Sequence, residues 1–173
     1  KKGGRMQFVD FRSFLAELES RNLLRDVSEP VDKNWEISSV MRWIYQGMPE
    51  NDRYAIRFSN VTGYDFPVVV GALGANYKTY ALAIGLDPEA PRAEIMQGAH
   101  EKWQAALGAP LPPVIRKDGK GAPCKENILT GAAIDMNMFP FPVWTPEKDP
   151  GWQEGHGFIT AGYHISKDPD TGI

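Results

Sequence analysis

A single cysteine, only three histidines and no basic run longer than Lys1-Lys2 set the first limits on this 173-residue chain. One thiol cannot form an internal disulfide, so the fold does not rest on covalent staples. With 19 basic and 22 acidic residues and a formal charge of −3, the chain has no electropositive footprint for nucleic acid. The longest apolar stretch, Phe66-Pro67-Val68-Val69-Val70-Gly71-Ala72-Leu73, is far shorter than the roughly 20 residues that span a bilayer. No apolar segment follows Lys1-Lys2-Gly3-Gly4-Arg5-Met6, as a secretory signal requires, and a cytoplasmic protein is expected. On the same ground the acceptor triplet Asn60-Val61-Thr62 carries no weight. These absences leave a small molecule as the expected partner, without nucleic acid or membrane.

What is present is ordinary globular material, with 42% hydrophobic and 24% charged residues, enough for one packed domain or one domain and the start of a second. Phe11, Phe14, Leu15 and Leu18 recur at helical spacing behind Asp10, a capping residue, and Glu17 stands four before Arg21; this helix closes near Asn22. An extended run at 23–27 precedes a helix marked by Ile37, Val40, Met41 and Ile44. It begins near Asp32 or Asn34 and stops at Gly47. Tyr54–Phe58 and Phe66–Val70 are expected as neighbouring strands around the turn residues Thr62-Gly63-Tyr64-Asp65. Further helices are expected from Tyr77 to Ile84 and from Pro91 to Leu107, stopped by Gly85 and Gly108.

Beyond Gly108 the composition changes. Ala109-Pro110-Leu111-Pro112-Pro113, Lys117-Asp118-Gly119-Lys120-Gly121 and Phe139-Pro140-Phe141-Pro142 are incompatible with helix. The expected organisation is therefore a tag-like segment 1–9, an α/β domain 10–108, and a linker with further strands over 109–173. From His156 to Ser166, Ile159, Ala161, Tyr163 and Ile165 alternate with Thr160, Gly162, His164 and Ser166, the pattern of a half-buried strand. Lys167-Asp168-Pro169-Asp170-Thr171-Gly172 then has hairpin-turn chemistry. No return strand lies within the sequence, so the strand is expected to pair with downstream chain, with a second polypeptide or with a strand elsewhere in the chain.

Several segments, taken in order, resemble the N-terminal region of the UbiD family of decarboxylases. They are Phe11-Arg12-Ser13-Phe14-Leu15 with Leu23-Leu24-Arg25, Phe58 through Val69, Ala83-Ile84-Gly85-Leu86-Asp87, Asp135 through Pro142, Phe158-Ile159-Thr160-Ala161-Gly162, and Lys167 through Gly172. The resemblance implies an α/β region followed by the beginning of a split β-barrel that binds prenylated FMN. It also implies a divalent metal such as Mn2+, often with K+, and reversible decarboxylation of aromatic or α,β-unsaturated acids in an oligomeric enzyme. The family's Arg and acidic catalytic residues and its Asn, His and Glu metal ligands are expected beyond Ile173, leaving no catalytic residue and no metal ligand to assign here. Phe139-Pro140-Phe141-Pro142 departs from the family's more usual Leu-Pro-Ile-Pro-like element, and Pro146 to Gly157 is longer than the common version; both bear on substrate choice.

Thr160 and Gly162 are the expected cofactor contacts: both fall on the polar face of the last strand, and a glycine lets a flat ligand come close. The alternative is that Thr160 is simply a good strand former and Gly162 a bulge. His156 and His164 would lie roughly 26 Å apart on a regular strand, too far to share an ion. His100 is expected on the surface or satisfied, Cys124 as an inert thiol, and Lys117–Gly121 as a plain turn that lacks the phosphate-loop pattern. Trp35, Trp43 and Trp103 are expected in cores, while Trp144 and Trp152 either pin a loop or flank a ligand or a subunit contact. A rival to the enzyme reading is a non-catalytic flavin-binding or assembly subunit that completes its barrel with another chain. Another is a domain of the same fold that binds no cofactor.

Overall fold

The structure, a computed structural model, describes residues 8–112, 125–145, 147–148, 157, 159 and 168–172. Its centre is a small sheet with helices on both faces, assembled from β1 (Leu24–Val27), β2 (Ala55–Phe58) and β3 (Val68–Val70) in the order β1-β2-β3. β1 and β2 are parallel, with Leu24 opposite Ala55 and Val27 opposite Phe58, whereas β2 and β3 are antiparallel, with Ile56 opposite Val70. The parallel pair needs a crossover, which α2 (Glu36–Gly47) supplies. A further parallel bridge, Val31 to Val61, continues the pairing past the strand ends.

Strand alternation sorts the core into two clusters. Ile56 and Phe58 project to one face and pack with Ile37, Met41 and Ile44 of α2, together with Val31 and Val61. Leu24 and Ala55 project to the other, where Phe14 and Leu18 of α1 (Phe11–Ser20) and Leu82 of α3 (Tyr77–Ala83) cover them. Phe8, just ahead of α1, stacks edge-on against Phe14 with ring centres 5.1 Å apart.

The local signals explain the boundaries. Asp10 caps α1 by accepting from the Ser13 amide at 2.7 Å, and Ser13 answers the Asp10 amide, a reciprocal box. Asn22 takes a positive φ of 58° where α1 ends, a conformation that asparagine tolerates better than most residues. Asn76 caps α3 by accepting from Lys78 and Thr79 and donates to the Arg53 carbonyl at 2.6 Å, so one buried amide ties the helix to the chain before β2. α2 differs from the expectation of a polar cap: Trp35 stands at its N-cap without a side-chain bond. Asp32 instead accepts from the Asn34 amide, and Glu36 reaches back to the Asp32 amide at 2.7 Å.

α4 (Arg92–Gly108) is attached mainly through its first turns: Ile95 is buried, and Gly98 lies against Leu86. Trp103 is 65% exposed, Trp43 64% and Trp35 49%, which corrects the expectation that the helical tryptophans fill cores. The helical spacing was real, but these rings lie on the faces turned away from the sheet.

Candidate functional site

After α4 the chain returns to the domain. The Val143 amide donates to the Lys33 carbonyl at 3.0 Å, the Arg42 guanidinium donates to the Trp144 carbonyl at 3.4 Å, and Val143 is fully buried. Trp144 packs against the α2 face of the core, in keeping with the pinned-loop alternative given above. Phe139 meets Phe66 at 5.3 Å and Phe141 at 5.7 Å between ring centres. Residues 139–144 thus form a strap laid over one edge of the α/β unit, and the prolines that exclude helix also keep the segment extended.

A cleft of about 260 Å³ opens where the strap meets the domain, lined by Lys33, Tyr64, Asn137, Phe139 and Phe141, with Met136, Gly157 and Ile159 completing the wall. Lys33 is 8% exposed. Its ammonium donates to the Asn34 side-chain carbonyl at 3.0 Å and lies 5.9 Å from the centre of the Tyr64 ring. Burial pushes the Lys33 pKa below its ordinary value, and neighbouring Asp32 offsets part of that shift. The result is a largely buried ammonium at the edge of a cleft with aromatic walls.

A second, more open groove of about 540 Å³ runs between α1 and the β2–β3 half of the sheet, with Phe11, Arg12, Leu15, Pro67 and Val69 on its walls. Arg57, also at its edge, is tied to Asp26 at 2.6 Å and to Glu19 at 3.4 Å. Hydrogen bonding from Ser59, then Arg57, holds the Asp26 carboxyl below the usual carboxylate range. These charges serve the sheet edge.

The expected cofactor contacts Thr160 and Gly162 lie outside the described residues, as do His156, His164, Cys124, Trp152 and Lys117–Gly121. Gly157 and Ile159, their near neighbours in sequence, are placed at the Lys33 cleft. His100 is exposed on α4. The turn at Asp168–Gly172 has the expected chemistry: the Asp168 carboxylate accepts from the Asp170 and Thr171 amides, and Gly172 takes a φ of 75°. Among the described residues no three His, Cys, Asp or Glu side chains gather as a metal site, and no helix is long and apolar enough to cross a membrane. The Lys33 cleft is smaller than the roughly 300–1,000 Å³ of pockets that enclose drug-sized ligands. Sequence reasoning passed over Lys33 because its setting is tertiary: its carbonyl meets the Val143 amide, 110 positions later, and it shares a cleft with Phe139 and Phe141.

Comparison with known proteins gives this geometry a family. Residues 15–98 match the UbiD N-terminal domain, described as the 3-octaprenyl-4-hydroxybenzoate carboxy-lyase N-terminal domain. The fold is similar to the vanillic acid decarboxylase VdcCD of Sedimentibacter hydroxybenzoicus in its open form, at 26% identity and a TM-score of 0.66, over 80% of this chain and 28% of that one. It is also similar to an evolved dimeric form of the UbiD-class enzyme HmfF of Pelotomaculum thermopropionicum in complex with prFMN, at 30% identity and a TM-score of 0.57, over 76% of this chain and 27% of that one. HmfF in complex with FMN matches over 94% of this chain and 32% of its own, at 27% identity and a TM-score of 0.60. The chain thus spans about a quarter to a third of the length of these solved relatives. Residues 15–98 thus match the N-terminal domain of the UbiD carboxy-lyases, and the chain is similar in fold to UbiD-class enzymes.

Proposed function

We propose that this chain is the N-terminal part of a reversible, non-oxidative carboxy-lyase that uses prenylated FMN to decarboxylate aromatic or α,β-unsaturated carboxylic acids. The observation that carries the reading is the α/β unit with its returning strap, similar over most of its length to a vanillic acid decarboxylase and to a prFMN-bound UbiD-class enzyme. When bound, the modified flavin supplies the electron sink that loss of carbon dioxide from an unsaturated carbon requires. In this reading Thr160 and Gly162 contact that cofactor, and Mn2+ with K+ completes the site beside residues outside this chain. The enzyme is oligomeric and cytoplasmic.

What this chain's own residues do is hold and orient. The strap, held by the Val143 amide on the Lys33 carbonyl and by the Arg42 guanidinium on the Trp144 carbonyl, shares a cleft with Gly157 and Ile159. The chain alone is then inactive. The test is to reconstitute the complete enzyme containing this chain with prenylated FMN, Mn2+ and K+, and to follow carbon dioxide release from a panel of aromatic and unsaturated acids. Turnover that depends on the modified flavin supports the reading. A complete protein that binds the cofactor tightly yet neither decarboxylates an acid nor exchanges labelled bicarbonate into a product sinks it and favours the assembly-subunit alternative.

A further inference from the structure

We propose that the free edge of β3 and the groove beside it form a docking site for a short extended segment of a second polypeptide, one carrying an apolar residue with acidic residues two positions to either side. The inference goes beyond the carboxy-lyase reading and does not rest on it, because it concerns only the corner between α1 and β3.

The argument starts from main-chain direction. The Ala55 amide donates to the Leu23 carbonyl at 2.8 Å and the Ser59 amide to the Val27 carbonyl at 3.0 Å. The odd-numbered residues of β2 therefore pair with β1, and Ile56 and Phe58 turn their amides and carbonyls toward Val70 and Val68. Val69, opposite Arg57, then points its own N–H and C=O away from β2. β3 ends the order β1-β2-β3, and neither of these two groups has a hydrogen-bond partner among the described residues. An unpaired edge of this kind is a template for an added strand, whose main chain carries a donor and an acceptor in the matching directions. The three-residue length of β3 keeps the addition short. Pro67 does the same, because it shares the outward direction of Val69 and has no N–H.

The groove then selects side chains. Opposed residues on neighbouring strands share a face, so the ligand residue opposite Val69 projects with it into the groove of about 540 Å³. Phe11, Leu15 and Pro67 wall that groove, and Phe11 is 55% exposed, a setting that suits an apolar side chain. Ligand residues two positions away face the same side. There Arg12 lines the groove and forms no ion pair with a described carboxylate. Asp10 feels its charge but is engaged in capping α1, and Glu19, the acid of the groove, is held by Arg57 at 3.4 Å. Arg12 thus calls for an acidic group on the ligand.

The experiment adds a blocked seven-residue peptide, threonine-glutamate-threonine-valine-threonine-glutamate-threonine, to the isotope-labelled 173-residue chain and follows amide NMR signals and hydrogen exchange. Saturable binding that protects the Val69 amide from exchange is expected. Methylation of the peptide's valine nitrogen should weaken binding by about tenfold, and lysine in place of both glutamates by about threefold. Arg12→Glu, at an exposed position in the first turn of α1, should reverse the preference between the glutamate and lysine peptides. The proposal is overturned if the glutamate peptide does not bind, or if the methylated or lysine peptide binds equally well. It is also overturned by a Val69 amide already protected before any peptide is added, which assigns the edge to a second copy or to another part of this chain. The peptide comparison uses the unsubstituted chain, so it stands even if the variant misfolds. It needs no flavin and no turnover, so its failure and the failure of the carboxy-lyase reading are separate results.

Discussion

Three residues show how single side chains govern this fold. Asn76 is buried and its side chain makes three hydrogen bonds, two as the cap of α3 and one to the Arg53 carbonyl. Asn76→Ala removes the cap and leaves that carbonyl without its donor, so urea unfolding should show a loss of about 2–4 kcal/mol. Gly71 has a φ of +82°, and a Cβ there would meet Met41, Tyr45 and Ala75 at 3.2–3.3 Å. Gly71→Ala should therefore destabilise by more than about 1 kcal/mol, because strain and crowding act together. For Lys33 the sign follows from its lowered folded pKa. Between that value and the ordinary 10.5 the unfolded chain binds more protons, so the group's unfavourable contribution is full below the folded value and fades as pH rises. The melting temperature of Lys33→Met relative to the unsubstituted chain should be highest near neutral pH and decline toward pH 10.5; an unchanging difference across that range would count against a desolvated ammonium.

At the scale of elements, the sequence was informative wherever a signal is local. Asp10 with Ser13, Asn22 after α1, Gly85 after α3, and the alternation that places Ile56 and Phe58 opposite Ala55 and Arg57 are short-range patterns, and the structure follows them. What could not be seen was which helix face meets the sheet. Trp43 and Trp103 have the spacing of core residues and lie outside it. The strap was equally invisible, because Phe139-Pro140-Phe141-Pro142 announces extended chain but not where that chain docks. Two substitutions separate these cases. Phe58→Ala, at a fully buried position, should cost about 3–5 kcal/mol, while Trp103→Ala should stay within about 0.5 kcal/mol, both from denaturant unfolding. Val143→Asp should loosen the strap while the sheet persists, visible as hydrogen exchange rising at 139–144 before β2.

For the whole molecule, two clusters on opposite faces of one three-stranded sheet share β2 as their common wall. Damage on either face should be felt on the other, and unfolding followed at Trp144 and by far-ultraviolet circular dichroism should coincide in a single transition. The resemblance to the UbiD family was legible in the sequence through scattered short segments, and residues 15–98 match its N-terminal domain. The candidate site was not, because a cleft depends on what distant segments bring together. Thr160 and Gly162 belong to the carboxy-lyase reading.

The strap also dictates an order of events during synthesis. Arg42 and Trp144 are 102 positions apart, and ribosomes add roughly 5–20 residues per second, so on the order of 5–20 s separate the emergence of the two ends of this contact. For that interval the nascent α/β unit must remain soluble with its α2 flank uncovered, giving chaperones a window to bind before the late-arriving segment closes it.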